Sequence, residues 1–319
     1  MASGEFELIA RILDRARLLQ RADVVLGIGD DCAVLQVPPG MHLVVAMDTL
    51  NAGVHFPAGT APAEIAWKAL AVNLSDLAAM GALPAWCTLS LSLPEADADF
   101  VDAFLDGFLV PAGLHQVALV GGDTTRGPLS VCVTAHGFIE PGQALRRDGA
   151  QVGDDLWVSG TLGDAAGALA QWKSGCAIDA VLQTRLDRPT PRVSLGRALR
   201  GIASACIDVS DGLLADLRHL CAASGVAALL DVDDLPISKG LQDSFGIDQR
   251  RLLQATGGDD YELCFSAAPD AAATVLSAAL VAGVVVTRIG RVTAGGGVSV
   301  RDAAGAIWSA PTAGWIHFG

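Results

Sequence analysis

The sequence predicts a layered α/β fold in two parts. Three observations support this. Apolar, β-branched runs alternate with Ala/Leu-rich helical stretches along the whole of the 319 residues, the signature of sheets covered by helices. Hydrophobic residues make up 51% of the chain and charged residues 18%, enough to fill sizeable cores and too apolar for a disordered protein. A polar break at EPGQALRRDGAQVGDD, where Pro141 and Gly142 end one β-rich stretch, divides the chain into 1–142 and 143–319. Each part has ordinary domain size.

Taken in order, the elements follow from local pattern. Phe6, Ile9, Ala10 and Leu13 recur at helical spacing near the N-terminus, where no signal-peptide core is visible. Strands are expected at 42–47, 117–121, 129–138, 155–159, 226–231, 261–266 and 284–289, where short, largely apolar runs stand between turn-rich stretches. Helices are expected at 62–80, 97–112, 164–174, 191–200, 211–224 and 270–282. The helix from 62 opens with Pro62 in its first turn and stops before Gly81, a favourable start and a favourable end. The glycine-rich TAGGGVSVRDAAGA reads as a hairpin. No short repeat is present, which excludes a solenoid.

Composition narrows the function. Net charge is −14, and only Lys68, Lys173 and Lys239 are lysines. No basic footprint for nucleic acid exists. No uninterrupted apolar run reaches membrane-spanning length; the nearest, Ala271–Val286, breaks at Gly283 and reads as helix followed by strand. Seven widely spaced cysteines without a CxxC pair fit reduced thiols better than a disulfide framework or a zinc site. A soluble, cytoplasmic protein is expected. GxxxxGK[ST], HExxH and GxSxG are all absent, so P-loop, zincin and α/β-hydrolase chemistries are disfavoured.

What remains is aspartate. GIGDDCAVL carries Asp30 and Asp31, VVAMDTL carries Asp48, and NLSDLAAMGA carries Asp76. ALVGGDTT ends on Asp123, IDVSDGL holds Asp208 and Asp211, and GGDDYEL holds Asp259 and Asp260. Asn73 and Asp76, three residues apart on an apolar helix, project on one face. An unpaired carboxylate there pays a desolvation penalty unless it meets solvent or a cation. Gly121 and Gly122 before Asp123 allow close approach of a ligand, although Gly-Gly-Asp is also an ordinary turn. Ser210 or Asp211 is expected as a cap for the helix that follows, which would account for one of Asp208 and Asp211 but not both. SGTLGDAAG is a glycine-rich loop entering a helix, equally a plain helix start or an anion site. Carboxylates gathered at strand ends and helix starts repel one another without cations. Oxygen-only ligands suit Mg²⁺, which bridges carboxylates to substrate phosphates.

The ordered set GEFELIARIL, GIGDDCAVL, DTLNAGVHF, NLSDLAAMGA, GGDTTRGPLSV, RRDGAQVGDDLWVSGTLGDAA, IDVSDGLLADL, GGDDYEL and GWIHF resembles the thiamine-monophosphate kinase family, from end to end. That family lies in the aminoimidazole-ribonucleotide-synthetase-like ATP-binding superfamily. The resemblance implies two α/β domains, each with a mixed sheet and flanking helices. Domain 1–142 would bind ATP and Mg²⁺ and pair in a homodimer, and 143–319 would complete the nucleotide and substrate site. The reaction implied is phosphorylation of thiamine monophosphate by ATP. By motif, Asp30, Asp48, Asp76, Asp123, Asp208 and Asp211 would bind several Mg²⁺ ions. Gly122, Asp123, Arg147 and Ser210 would contact ATP, and His55, Asp259 and Trp315 would border the thiamine phosphate. No general base is assigned. Two departures stand out: Ala46 and Met47 replace the usual Ser and Thr, and Asp259 replaces a Glu. The alternatives are another ATP-dependent synthetase of the superfamily, or a silent nucleotide-binding scaffold.

Overall fold

The computed structural model describes residues 5–17, 19–312 and 314–315. The first four residues and the IHF of the terminal motif lie outside them. The chain divides into two compact units. The described residues up to Leu77, with Ala82–Gly142, form the first. It contains α1 (Glu5–Ala16), β1 (Val24–Leu26), β2 (Val34–Leu35), β3 (His42–Asn51), α2 (Pro62–Ala79), β4 (Leu83–Leu93), α3 (Ala98–Leu114), β5 (Ala118–Arg126) and β6 (Ser130–Ile139); the last two residues of α2 group with the second unit.

Its main sheet has the order β3-β6-β4-β5. β4 and β5 are parallel and joined through α3, whereas the other two pairings are antiparallel. The sheet is therefore mixed, as expected. Leu70, Leu74 and Leu77 of α2 are buried, as are Phe104 and Phe108 of α3 and Leu89 and Leu91 of β4. Such burial is worth about 1.5–3 kcal/mol per large side chain. Asp97 starts α3 by accepting the N–H groups of Asp99 and Phe100, so the expected helix at 97–112 begins with its cap. On α1, Leu8 and Ala16 are buried and Ala10 is exposed. The buried side is thus rotated from the one the spacing suggests, and Arg11 and Arg15 ion-pair with Asp102 and Asp106 of α3.

The second unit holds Ala78–Gly81 and the described residues from Gln143 onward. Its elements are β7 (Asp155–Ser159), α4 (Asp164–Lys173), α5 (Ala180–Asp187), α6 (Val193–Ala198), β8 (Ala205–Val209), α7 (Leu213–Ser224), β9 (Ala227–Asp231), α8 (Lys239–Ser244), α9 (Ile247–Thr256), β10 (Glu262–Ala267), α10 (Ala272–Ala282), β11 (Val286–Thr293), β12 (Gly297–Arg301) and β13 (Ile307–Trp308). The seven strands take the order β13-β12-β9-β11-β7-β10-β8. Only β12 and β9 pair in parallel, so this sheet is mixed too. Its core joins Leu156, Val158, Ile207 and Val209 of the sheet to Leu213, Leu217 and Leu220 of α7. The glycine-rich stretch is only partly a hairpin. Thr293 and Gly297 both pair with Ala227, so the intervening residues carry the chain across the start of β9. The hairpin proper is β12–β13.

Candidate active site

In the first unit the apolar face of α2 seats it on the sheet and brings Asn73 against β3. Asn73 is fully buried; its Oδ1 accepts the Asp48 N–H at 3.1 Å, and its Nδ2 donates to the Ala69 carbonyl. Asn73 and Asp76 therefore do not share one fate. The former is a structural clamp on Asp48, whereas Asp76, three residues on, is half-buried.

Ladder register places Asp48 in a row with Val133, Leu89 and Gly122. Asp123 falls in the next row, with Ser90, Cys132 and Thr49. Gly122, at the end of the first row, has φ +153°, and a Cβ there would lie 1.8 Å from the Leu89 carbonyl oxygen. Only glycine fits, and the exposed Asp123 is presented directly after it. Asp30 is exposed and accepts the Asp31 N–H at 2.8 Å, which makes GDD a tight polar turn. His55 accepts the Asn51 N–H through Nδ1, and its carbonyl accepts from Nζ of the buried Lys68 at 3.0 Å.

In the second unit Asp208 lies in β8 and is 5% exposed, one residue from the strand's end. Neither Ser210 nor Asp211 caps α7. Gly212 occupies the cap position without a side-chain bond. Instead Asp216, inside the helix, folds back, and its Oδ2 accepts the N–H groups of Ser210, Asp211 and Gly212 at 3.0–3.1 Å. Burial, together with Asp208 and Asp211, pushes the Asp216 carboxyl up to about 7. Asp208 and Asp211 are thus close enough to act on Asp216, and carboxylates gathered at such range favour a cation. Sequence reasoning missed Asp216 because an acid in the first turn of a helix reads as a solvated dipole partner.

The same loop receives two further segments. Asp259 donates its N–H to the Ser210 carbonyl, and Trp315 donates its N–H to the Asp211 carbonyl at 2.9 Å. Asp211, Asp259 and Trp315 are therefore brought together by backbone bonds, and the Trp315 residue stays 52% exposed. Arg147 is exposed, and its carbonyl accepts from Ser224 Oγ.

Behind this loop the glycine-rich 159–164 stretch is fixed from within. Asp260 accepts the Gly163 N–H on both oxygens. The buried Glu262 accepts from Arg185, Arg192 and Ser159 at 2.5–2.6 Å. Asp164 accepts from Thr161 and Ser238.

Among the described residues, no three His, Cys, Asp or Glu side chains form a ready-made metal cage. The donor set nonetheless suits Mg²⁺, which takes oxygen ligands, keeps several waters and needs only one or two carboxylates beside substrate phosphates.

Residues 29–139 match the AIR synthase related protein, N-terminal domain, and residues 151–303 match the corresponding C-terminal domain. A thiamine-monophosphate kinase of Escherichia coli strain K12 is 46% identical over 301 residues, 92% of each chain. This chain belongs to the thiamine-monophosphate kinase family of AIR synthase related proteins. The Salmonella typhimurium thiamine-monophosphate kinase is 51% identical over 272 residues, 83% of each chain. The crystal structure of a thiamine-monophosphate kinase from Stenotrophomonas maltophilia K279a superposes with a TM-score of 0.87 at 57% identity, over 94% of this chain and 97% of the other. AaThiL complexed with AMPPCP and TMP gives 0.78 at 32% identity, over 99% and 97%. Both units of this chain thus lie within the thiamine-monophosphate kinase fold.

Proposed function

We propose that the protein transfers the γ-phosphoryl group of ATP to thiamine monophosphate, yielding thiamine diphosphate and ADP. The observation that carries this reading is the likeness over 99% of the chain to AaThiL complexed with AMPPCP and TMP, an ATP analogue and the acceptor. In the reaction an acceptor phosphate oxygen bonds to Pγ as the bond from Pγ to the β–γ bridging oxygen breaks. A phosphate monoester has a second pKa near 6, so the acceptor is already anionic at neutral pH and needs no strong base. Charge compensation and in-line placement are what the protein must supply.

When bound, Mg²⁺ would supply charge neutralisation for the phosphate groups. Asp30, Asp48, Asp76, Asp123, Asp208 and Asp211 are the residues to hold it. Gly122, Asp123, Arg147 and Ser210 take ATP. The three amides at the start of α7 are already occupied by Asp216, so the contact from Ser210 is assigned to its hydroxyl. His55, Asp259 and Trp315 border the acceptor; a carboxylate and an indole face both suit the cationic thiazolium. Pairing of two copies through the first unit is supported by Leu43, Val45 and Met47, which lie exposed on alternate positions of edge strand β3. Among the described residues no helix is long and apolar enough to cross a membrane, and all seven cysteines are unpaired, which favours a cytoplasmic setting.

The test is ATP consumption with and without thiamine monophosphate. ADP release that requires thiamine monophosphate, stops in excess chelator and returns with Mg²⁺ is expected. ATP turnover indifferent to thiamine monophosphate overturns the assignment.

A further inference from the structure

Asp259 and Tyr261 have φ of +70° and +51°, and Asp260 between them is 2% exposed. Left-handed backbone at a non-glycine residue is strained and persists only where its surroundings over-determine it. Five hydrogen bonds do so here. The Asp259 and Tyr261 N–H groups donate to the Ser210 and Val209 carbonyls, both at 2.8 Å, extending the β10–β8 ladder past its regular end. Asp260 turns inward and takes the Gly163 N–H on both carboxylate oxygens, at 3.0 and 2.9 Å. Finally, the Tyr261 hydroxyl reaches back over its own turn and donates to Asp259 Oδ1 at 3.1 Å.

This last bond has a directional consequence. An aspartate on a turn is free to rotate about two side-chain torsions, and a fixed donor on one oxygen removes that freedom before a ligand arrives. Tyr261 is 8% exposed, so its ring is itself held by packing and its hydroxyl is a stationary donor. We propose that Tyr261 is a positioning residue of the acceptor site: its hydroxyl orients the Asp259 carboxylate, and the inward carboxyl of Asp260 secures the strained turn that carries both. Tyr261 has this role only through Asp259, whose contact with thiamine monophosphate is the reading proposed above.

Tyr261→Phe keeps the ring and the backbone and deletes only the donor. The KM for thiamine monophosphate should rise about five- to tenfold, with the ATP value within about twofold of wild type and an unchanged melting temperature. Asp259→Asn should raise the same KM, and the double variant should be no worse than Asp259→Asn alone, because both changes act on one contact. Tyr261 is also the chain's single tyrosine. Protein labelled with ¹³C-tyrosine therefore reports on this ring alone, and its resonance should shift with thiamine monophosphate but not with AMPPCP. A Tyr261→Phe enzyme with wild-type KM beside an impaired Asp259→Asn enzyme overturns the positioning role and leaves the acceptor site intact. A tyrosine resonance indifferent to thiamine monophosphate overturns it equally. If Asp259→Asn itself leaves the KM unchanged, the acceptor assignment of Asp259 fails and the role of Tyr261 falls with it.

Discussion

Asn73 holds Asp48: its buried Oδ1 accepts the Asp48 N–H across the α2–β3 contact at 3.1 Å. Replacing Asn73 with Leu preserves size and helix propensity but leaves a backbone N–H on the sheet without its acceptor. An unsatisfied buried group costs about 1–3 kcal/mol, and Asp48 is half-buried, which sets the expected loss at the lower end. Urea unfolding of Asn73→Leu should show a loss of that order, and the apparent Mg²⁺ requirement for turnover should rise, because Asp48 loses its fixed backbone. An unchanged midpoint and metal requirement would mean the clamp is dispensable.

Asp123 offers the opposite case. It is exposed, so Asp123→Asn should leave the melting temperature within about 2 °C, since surface changes usually stay within ±0.5 kcal/mol. Turnover should nevertheless fall to background, and Asp76→Asn should behave alike. Turnover at the wild-type level and with the wild-type Mg²⁺ dependence in either variant would exclude that residue as a ligand.

How far the sequence reveals this architecture depends on whether the signal is local. β7 at 155–159 is as expected, because an isolated apolar run between turns has one reading. The central strand β4 is different. Leu89, Leu91 and Leu93 alternate with Thr88, Ser90 and Ser92, yet Pro84 at its start argues against a strand. The structure accommodates it through a register shift between Pro84 and Trp86. Site aspartates that follow apolar runs are legible. The roles of the buried acids Asp260 and Glu262 are not, since their partners come from turns and helices distant in sequence, and Asp216 is hidden because its partners precede it in the same loop and an acid in a first helical turn reads as solvated.

Glu262 shows what those partners are worth. It is fully buried between Arg185 and Arg192, whose side chains are 17% and 16% exposed. Glu262→Ala would leave two nearly buried cations facing one another, a change of about 3–5 kcal/mol. Gly160→Ala attacks the same point from outside. A Cβ there, at φ +58°, would lie 2.1 Å from Glu262 Oε1. Both variants should unfold at markedly lower denaturant than wild type, and stability equal to wild type in either would show that the ion cluster relaxes without loss.

Asp260 gives a pH test. Burial drives its carboxyl well above the usual carboxylate range; the Gly163 amide and Arg185 oppose that, while Asp164 and Glu262 add to it. Arg185 is already engaged by Glu262, so the proton on Asp260 is the cheaper neutralisation. A raised folded-state value means the native protein binds this proton more tightly than the unfolded chain does. The stabilisation is present at acid pH and is lost as pH rises through the folded value. Asp260→Asn mimics the neutral acid and removes the dependence. Melting curves from mildly acid to alkaline buffer should therefore show wild type losing ground to Asp260→Asn as pH rises. Parallel curves would place the carboxyl in its charged form throughout.

Trp315 closes the acceptor site in this reading, and its backbone separates docking from contact. The Trp315 N–H donates to the Asp211 carbonyl at 2.9 Å, a bond that Trp315→Ala retains, so the C-terminal segment stays attached while the ring is lost. The residue is 52% exposed, more than a purely structural anchor requires. Thiamine carries a permanently cationic thiazolium, and an indole face attracts cations by about 0.5–2 kcal/mol depending on desolvation. Trp315→Ala should accordingly raise the KM for thiamine monophosphate by about three- to thirtyfold, with the ATP value nearly unchanged. A thermal melt beside the kinetics separates this from general loss of structure. If the ATP value rises alone, or neither moves, the indole does not border the acceptor, and the C-terminal segment serves only to brace Asp211.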